Sequence, residues 1–215
     1  MGESAHCSGP TPLPRRRVFG ALLAIGVAAL AVPPLTGRGI AARDPQFVVN
    51  YVATQGMAML APNVSPAQRN AQMRQLFAEY FDVGHIAAFT LGRYRTIATP
   101  QQQAEFYRLY EQYTVAVYTS QLARIGTATV RITGTRPYGK EIVVSSEIVR
   151  PDGNPIQVDW YVVNRHGKYK ISDMVVAGNS MKVGQRNEFA QWVQTNGGRF
   201  DALLAVMRQE ITRLS

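Results

Sequence analysis

Few side chains in this 215-residue sequence have the type and spacing to do chemistry. His85 follows Asp82 by three residues, a spacing that puts both on one face of a short helix and would suit a general acid–base pair. The competing reading makes Asp82 a helix cap with His85 resting over it. His166, within Asn164-Arg165-His166-Gly167, belongs to a turn. Asp173 follows the strand-like Tyr169-Lys170-Ile171-Ser172 and reads in two ways. It is a buried base, or a structural carboxylate that pairs with Arg186 or caps a backbone turn. No G-x-S-x-G, P-loop or H-E-x-x-H motif occurs anywhere. Cys7 is the only cysteine and His6 the third and last histidine, which excludes a disulfide scaffold, a thiolate metal centre and a multi-histidine zinc site by count. No metal and no cofactor is expected.

Apolar and aromatic side chains are the larger resource. Phe106, Tyr107, Tyr110, Tyr113 and Tyr118 lie along one helical stretch, and Trp160, Tyr161 and Tyr169 in strand-like segments. Residues of this kind fill a core or line a pocket for a hydrophobic ligand. Composition does not choose between the two.

The elements that must position them follow from periodicity. Phe47, Val48, Tyr51, Val52 and Met59 recur at near-helical spacing from Asp44 to Leu60, and Pro62-Asn63 breaks the pattern. Ser65-Pro66 supplies an N-cap and a first-turn proline for a second helix carrying Met73, Leu76, Phe77, Tyr80 and Phe81. A short helix after Asp82 ends at Leu91-Gly92. Thr99-Pro100 repeats the cap-plus-proline signal and opens the longest helix, to about Ile125, with a stripe of Phe106, Leu109, Tyr110, Tyr113, Val117 and Leu122. After Gly126 the period becomes two. Thr127–Thr135, Glu141–Arg150, Ile156–Val162 and Tyr169–Val176 alternate and are joined by turn-forming residues. Helices from Ser180 to about Thr195 and from Asp201 to Leu214 close the chain. The class is α+β: a four-stranded antiparallel sheet covered by helices, in a single domain over residues 43–215. Val144, Ile156, Val158, Trp160 and Ile171 are expected on the inward strand face, opposite Phe106, Tyr110, Tyr113 and Val117. Ser180 is expected to cap the helix after the last strand and Gly178 to take a positive φ, with Asp173 and Arg186 organising that junction.

The N-terminus has a different purpose. Arg15-Arg16-Arg17 precede an uncharged run from Val18 to Val32, about 22 Å as a helix at ~1.5 Å per residue. That falls short of a bilayer core of ~30 Å. Small residues follow, so residues 1–42 read as an export signal cleaved near Ala41 or Ala42, and Arg16-Arg17-Val18-Phe19 fits a twin-arginine core. Residues 1–42 hold four basic side chains against Glu3, which leaves +6 of the net charge of +9 on the remainder. Outside the cytoplasm an anionic membrane surface or an acidic protein suits that charge, and nucleic acid does not.

Gly167-Lys168-Tyr169-Lys170-Ile171-Ser172-Asp173 through Gly178-Asn179-Ser180-Met181, with Arg186-Asn187-Glu188-Phe189 beyond, resembles the MlaC/toluene-tolerance family. The pattern there is G-x-W-K-[VI]-x-D-x-x-x-x-G-x-S followed by R-x-x-F, with Tyr169 here in place of Trp. Phe81-Asp82, Leu91-Gly92-Arg93-Tyr94-Arg95 and Gln103-Ala104-Glu105-Phe106 look like the same family's central helices. The pairs Ser180-Met181 and Lys170-Ile171 are similar to the branch associated with hopanoid biosynthesis clusters. The resemblance implies a non-enzymatic periplasmic carrier of a phospholipid or hopanoid-type lipid. Its partners would be an inner-membrane ABC transporter complex and an outer-membrane lipoprotein complex. The inward-facing set named above would then line an apolar lipid-binding cavity, with Asp173, Gly178, Ser180, Arg186 and Phe189 as the structural motif. The alternative is a small cone-shaped α+β enzyme, an isomerase or dehydratase using His85 or Asp173.

Overall fold

The computed structural model describes residues 44–126, 128–151 and 153–214. The expected export signal at residues 1–42 and its expected cleavage point lie outside them. Four helices come first, and three of them start at a side-chain cap. In α1 (Pro45–Ala58) the Asp44 side chain accepts from the Gln46 N–H. In α2 (Pro66–Tyr80) Ser65 and Gln68 form a reciprocal capping box, and Thr99 and Gln102 repeat it in α4 (Pro100–Ile125). Between them lies α3 (Val83–Leu91), followed by a 3-10 turn over Gly92–Thr96. Asp82 sits at the N-cap of α3 without using its side chain there. Its oxygens go instead to Arg165 Nε at 2.7 Å and His85 Nδ1 at 3.0 Å. The cap reading of Asp82 is therefore corrected: an ion pair with a residue far along the chain takes the carboxylate.

The strands are β1 (Thr129–Tyr138), β2 (Glu141–Val149), β3 (Pro155–Arg165), β4 (Lys168–Val176) and β5 (Asn179–Ser180), antiparallel and in that spatial order. The sheet has five strands and not four. Ala177 (φ 48°) and Gly178 (φ 81°) turn the chain back so tightly that Asn179 and Ser180 pair with Val176 and Val175. Two residues are too few to show a two-residue period. The β3–β4 turn, His166-Gly167, has positive φ at both positions, the type I′ geometry that matches strand twist. A register shift between Tyr161 and Val162 leaves Ser172 as an extra residue in β4, so that Ile171, Ser172 and Asp173 are all buried. The last helices are α5 (Met181–Thr195) and α6 (Phe200–Leu214).

Two apolar cores result. One lies between the sheet and α1, α2 and part of α4, with Val144, Val158, Trp160 and Ile171 packed against Val48, Leu76, Phe77 and Val115. The buried Trp160 indole is satisfied by Ser146 Oγ at 2.9 Å. The other lies among the helices, where Phe106, Tyr110, Tyr113, Phe189, Leu203 and Met207 meet. The expected opposition of Phe106, Tyr110 and Tyr113 to the strand face is corrected accordingly. Those residues face α5 and α6, while Val115, Tyr118 and Leu122 of the same helix turn to the sheet. A helix buried on two sides has no single stripe from which its partner can be read.

Candidate functional site

A narrow cleft enters where α2, α3, α4, β4 and the start of α5 converge. Phe77, Phe81, Val83 and Ile86 form one wall; Tyr110, Thr114 and Tyr118 of α4 form another. Asp173 and Met174 of β4 lie opposite, with Met181 and Lys182 beside them. Phe77 stacks on Phe81 at 4.2 Å between centroids and on Tyr118 at 5.2 Å. These rings close the cleft on itself. The free space is about 10 Å³, room for about one water molecule. At this cleft aromatic side chains fill most of the space.

The phenols of the walls stay neutral. Burial pushes the Tyr110 and Tyr118 phenols well above their usual range, so neither ionises at physiological pH. Tyr110 reaches out of the cleft to donate to Gln185 Oε1 at 2.7 Å. Lys170 holds the end of α2 against β4, donating to Ala78 O at 3.4 Å and to Glu79 O. Asp173 is the carboxylate within, and each of its oxygens accepts a hydrogen bond. Oδ2 accepts from Ser180 Oγ at 2.5 Å; Oδ1 accepts from the N–H groups of Met174 at 2.9 Å and Lys182 at 3.1 Å. These three bonds give Asp173 the geometry of a structural carboxylate closing the first turn of α5. The Ser180 hydroxyl accepts in turn from the Val183 N–H at 3.2 Å, and Gly178 has φ 81°.

The candidate residues named from the sequence are thus divided. Val144, Val158, Trp160 and Ile171 lie in the sheet core, with Ile156 partly buried against it. Phe106, Tyr110 and Tyr113 lie in the helical core, with Val117 partly buried there; of these, Tyr110 reaches the cleft. Phe189 packs edge-on to Phe106, Tyr110 and Tyr113. Arg186 does not pair with Asp173. Its guanidinium lies over the Phe89 ring at 5.2 Å from the centroid and beside Gly92. His85 and Asp82 sit outside the cleft, the imidazole 68% exposed and the carboxylate shared with Arg165. The lining residues missed were Phe77, Phe81, Val83, Ile86, Thr114, Met174, Met181 and Lys182. The i, i+4 pair Phe77–Phe81 was their one visible signal.

Among the described residues no group of three or more His, Cys, Asp and Glu gathers as a metal site, and no helix is long and apolar enough to cross a membrane. The cleft presents aromatic rings, neutral phenols and a hydrogen-bonded carboxylate.

Comparison with known proteins agrees with this architecture. The chain is 22% identical over 190 residues to toluene tolerance protein ttg2D of Pseudomonas putida, which spans 85% of this chain and 87% of that protein. It superposes with a TM-score of 0.64 and 22% identity on a phospholipid-binding protein from Ralstonia solanacearum, solved in complex with a phospholipid; the match covers 80% of this chain and 98% of that one. Residues 52–209 match the family described as MlaC protein. With more than half of its length accounted for in this way, the chain belongs to the MlaC protein family.

Proposed function

We propose that this protein is a periplasmic phospholipid carrier, exported by its residues 1–42 through a twin-arginine route. It takes lipid from one membrane complex and delivers it to another, between an inner-membrane ABC transporter and an outer-membrane lipoprotein complex. The observation that carries this reading is the aromatic cleft behind Phe77, Phe81 and Tyr118, in a chain of the MlaC family. The Ralstonia solanacearum neighbour, which shares the fold, supports phospholipid as the cargo. Moving two acyl chains through water exposes tens of CH₂ groups at ~0.8 kcal/mol each, so the tails must be enclosed in transit. Tails enter by displacing the rings that close the cleft, and the inward faces of the sheet and of α4 extend the lining. A hopanoid-type lipid is the second reading, favoured by Lys170-Ile171 and Ser180-Met181.

Native mass spectrometry of the chain purified from envelopes tests both. An adduct with a phospholipid's mass supports the first reading, and a polycyclic triterpenoid mass replaces it with the second. A chain that carries no lipid from envelopes, and takes up none when incubated with it, overturns the carrier function.

A further inference from the structure

Beside the cleft lies a feature that apolar binding leaves unused. Lys182 and Arg186 are four residues apart on α5 and so share one face of that helix. Both approach the same aromatic ring: Lys182 Nζ is 5.3 Å and the Arg186 guanidinium carbon 5.2 Å from the Phe89 centroid. Two like charges are thereby held within about a Debye length of each other. None of the ion pairs among the described residues uses either of them. Two carboxylates close to them in the chain or fold, Asp173 and Glu188, have other partners. Asp173 is taken by Ser180, Met174 and the Lys182 backbone, and Glu188 accepts from the Tyr113 hydroxyl at 3.2 Å.

The position of Arg186 is built. A Cβ on Gly92 would approach Arg186 Nε to 2.9 Å, so the missing side chain is what lets the guanidinium lie against the backbone there. Gly92 also has φ 52°, a conformation glycine tolerates. The next residue, Arg93, is exposed and donates to the Tyr94 hydroxyl, which in turn donates to Ala190 O on α5. Lys182 itself lines the cleft. The cleft therefore meets one cation at Lys182, and Arg186 follows it four residues on, against the same Phe89 ring.

We propose that Lys182 and Arg186, set by Phe89 and Gly92, form the headgroup subsite that binds the phosphate of a lipid whose tails occupy the cleft. The proposal rests on the carrier reading and narrows its cargo to anionic phosphodiester lipids. A guanidinium accepts a phosphate by a two-pronged hydrogen bond, and the neighbouring ammonium adds a point charge. An uncharged polycyclic lipid gains nothing from either.

The test uses the chain without its export signal, incubated with phosphatidylglycerol and with diacylglycerol of the same tails, and read by native mass spectrometry. The parent is expected to prefer phosphatidylglycerol. The double variant K182E/R186E should bind it roughly tenfold more weakly, as for lost charge-assisted bonds. Diacylglycerol uptake should fall by much less than phosphatidylglycerol uptake, and K182R/R186K should retain the preference. Should charge reversal prevent folding, the neutral K182Q/R186Q makes the same measurement. Equal loss of both lipids, or no loss of either, overturns the subsite. A parent that takes both lipids alike does so too, while leaving the carrier function standing; one that takes neither overturns the carrier function itself. Inorganic phosphate that binds the parent and not K182E/R186E, with phosphatidylglycerol unaffected by the substitutions, assigns the pair to a free anion and overturns the lipid assignment.

Discussion

Replacing Asp173 by alanine removes the acceptor for three donors at once: the Ser180 hydroxyl and the N–H groups of Met174 and Lys182. The carboxylate is 7% exposed, so water replaces it poorly. Each buried donor left without a partner costs ~1–3 kcal/mol. The negative charge facing the first turn of α5 contributes a further ~0.3–1 kcal/mol. Relief from burying a carboxylate acts in the opposite direction, which brings the expected net loss to about 3–4 kcal/mol. In a domain of this size each kcal/mol shifts the melting temperature by ~2–4 °C, so Asp173→Ala should melt roughly 10 °C lower. Asp173→Asn keeps Oδ1 for both backbone donors but replaces the acceptor of Ser180 by an NH2 group that can only donate to the Ser180 oxygen, so its loss should be about 1 kcal/mol. Thermal and urea unfolding of the three proteins, followed by far-ultraviolet circular dichroism, measure this order. An alanine variant that melts with the parent would refute the structural role. If that stable variant also lost an activity, Asp173 would be a reacting group.

Burial raises the Glu188 carboxyl above its ordinary value of 4.5, so the fold favours the protonated form. That contribution is complete below 4.5 and is lost as pH rises through the raised value. The melting temperature of Glu188→Gln relative to the parent should therefore climb with pH across that window, and a constant difference would contradict it. Val144→Trp and Val158→Trp place large rings at positions with 0% and 1% exposure and should cost ~1–3 kcal/mol by overpacking, read as a lower urea midpoint. Parental stability in both would mean that the sheet core has space the closed structure lacks. Gly92→Ala should cost ~1–3 kcal/mol for its positive φ and displace Arg186, seen as weaker retention of phosphatidylglycerol at saturating tail length. Unchanged retention in a folded Gly92→Ala protein would separate Gly92 from the position of Arg186.

The sequence by itself determined the elements, because their signals are local. Ser65-Pro66 and Thr99-Pro100 act within one helical turn, and His166-Gly167 turns the chain by its own backbone freedom. Alternation along β2 and β3 announced a meander, and the run from Gly167 to Ser180 was enough to point to the family. Partners were a different matter. Whether Tyr110 and Tyr113 face the sheet or the last two helices depends on segments some 75 residues away, such as Gln185 and Glu188, whose approach no local pattern encodes. Asp82 carried a good cap signal and lost it to Arg165, 83 residues on. The cleft was least legible of all, since its walls come from three helices, one strand and the start of a fourth helix. Side-chain volume is written in the sequence, but whether facing rings leave a space or fill it is decided only when those elements pack.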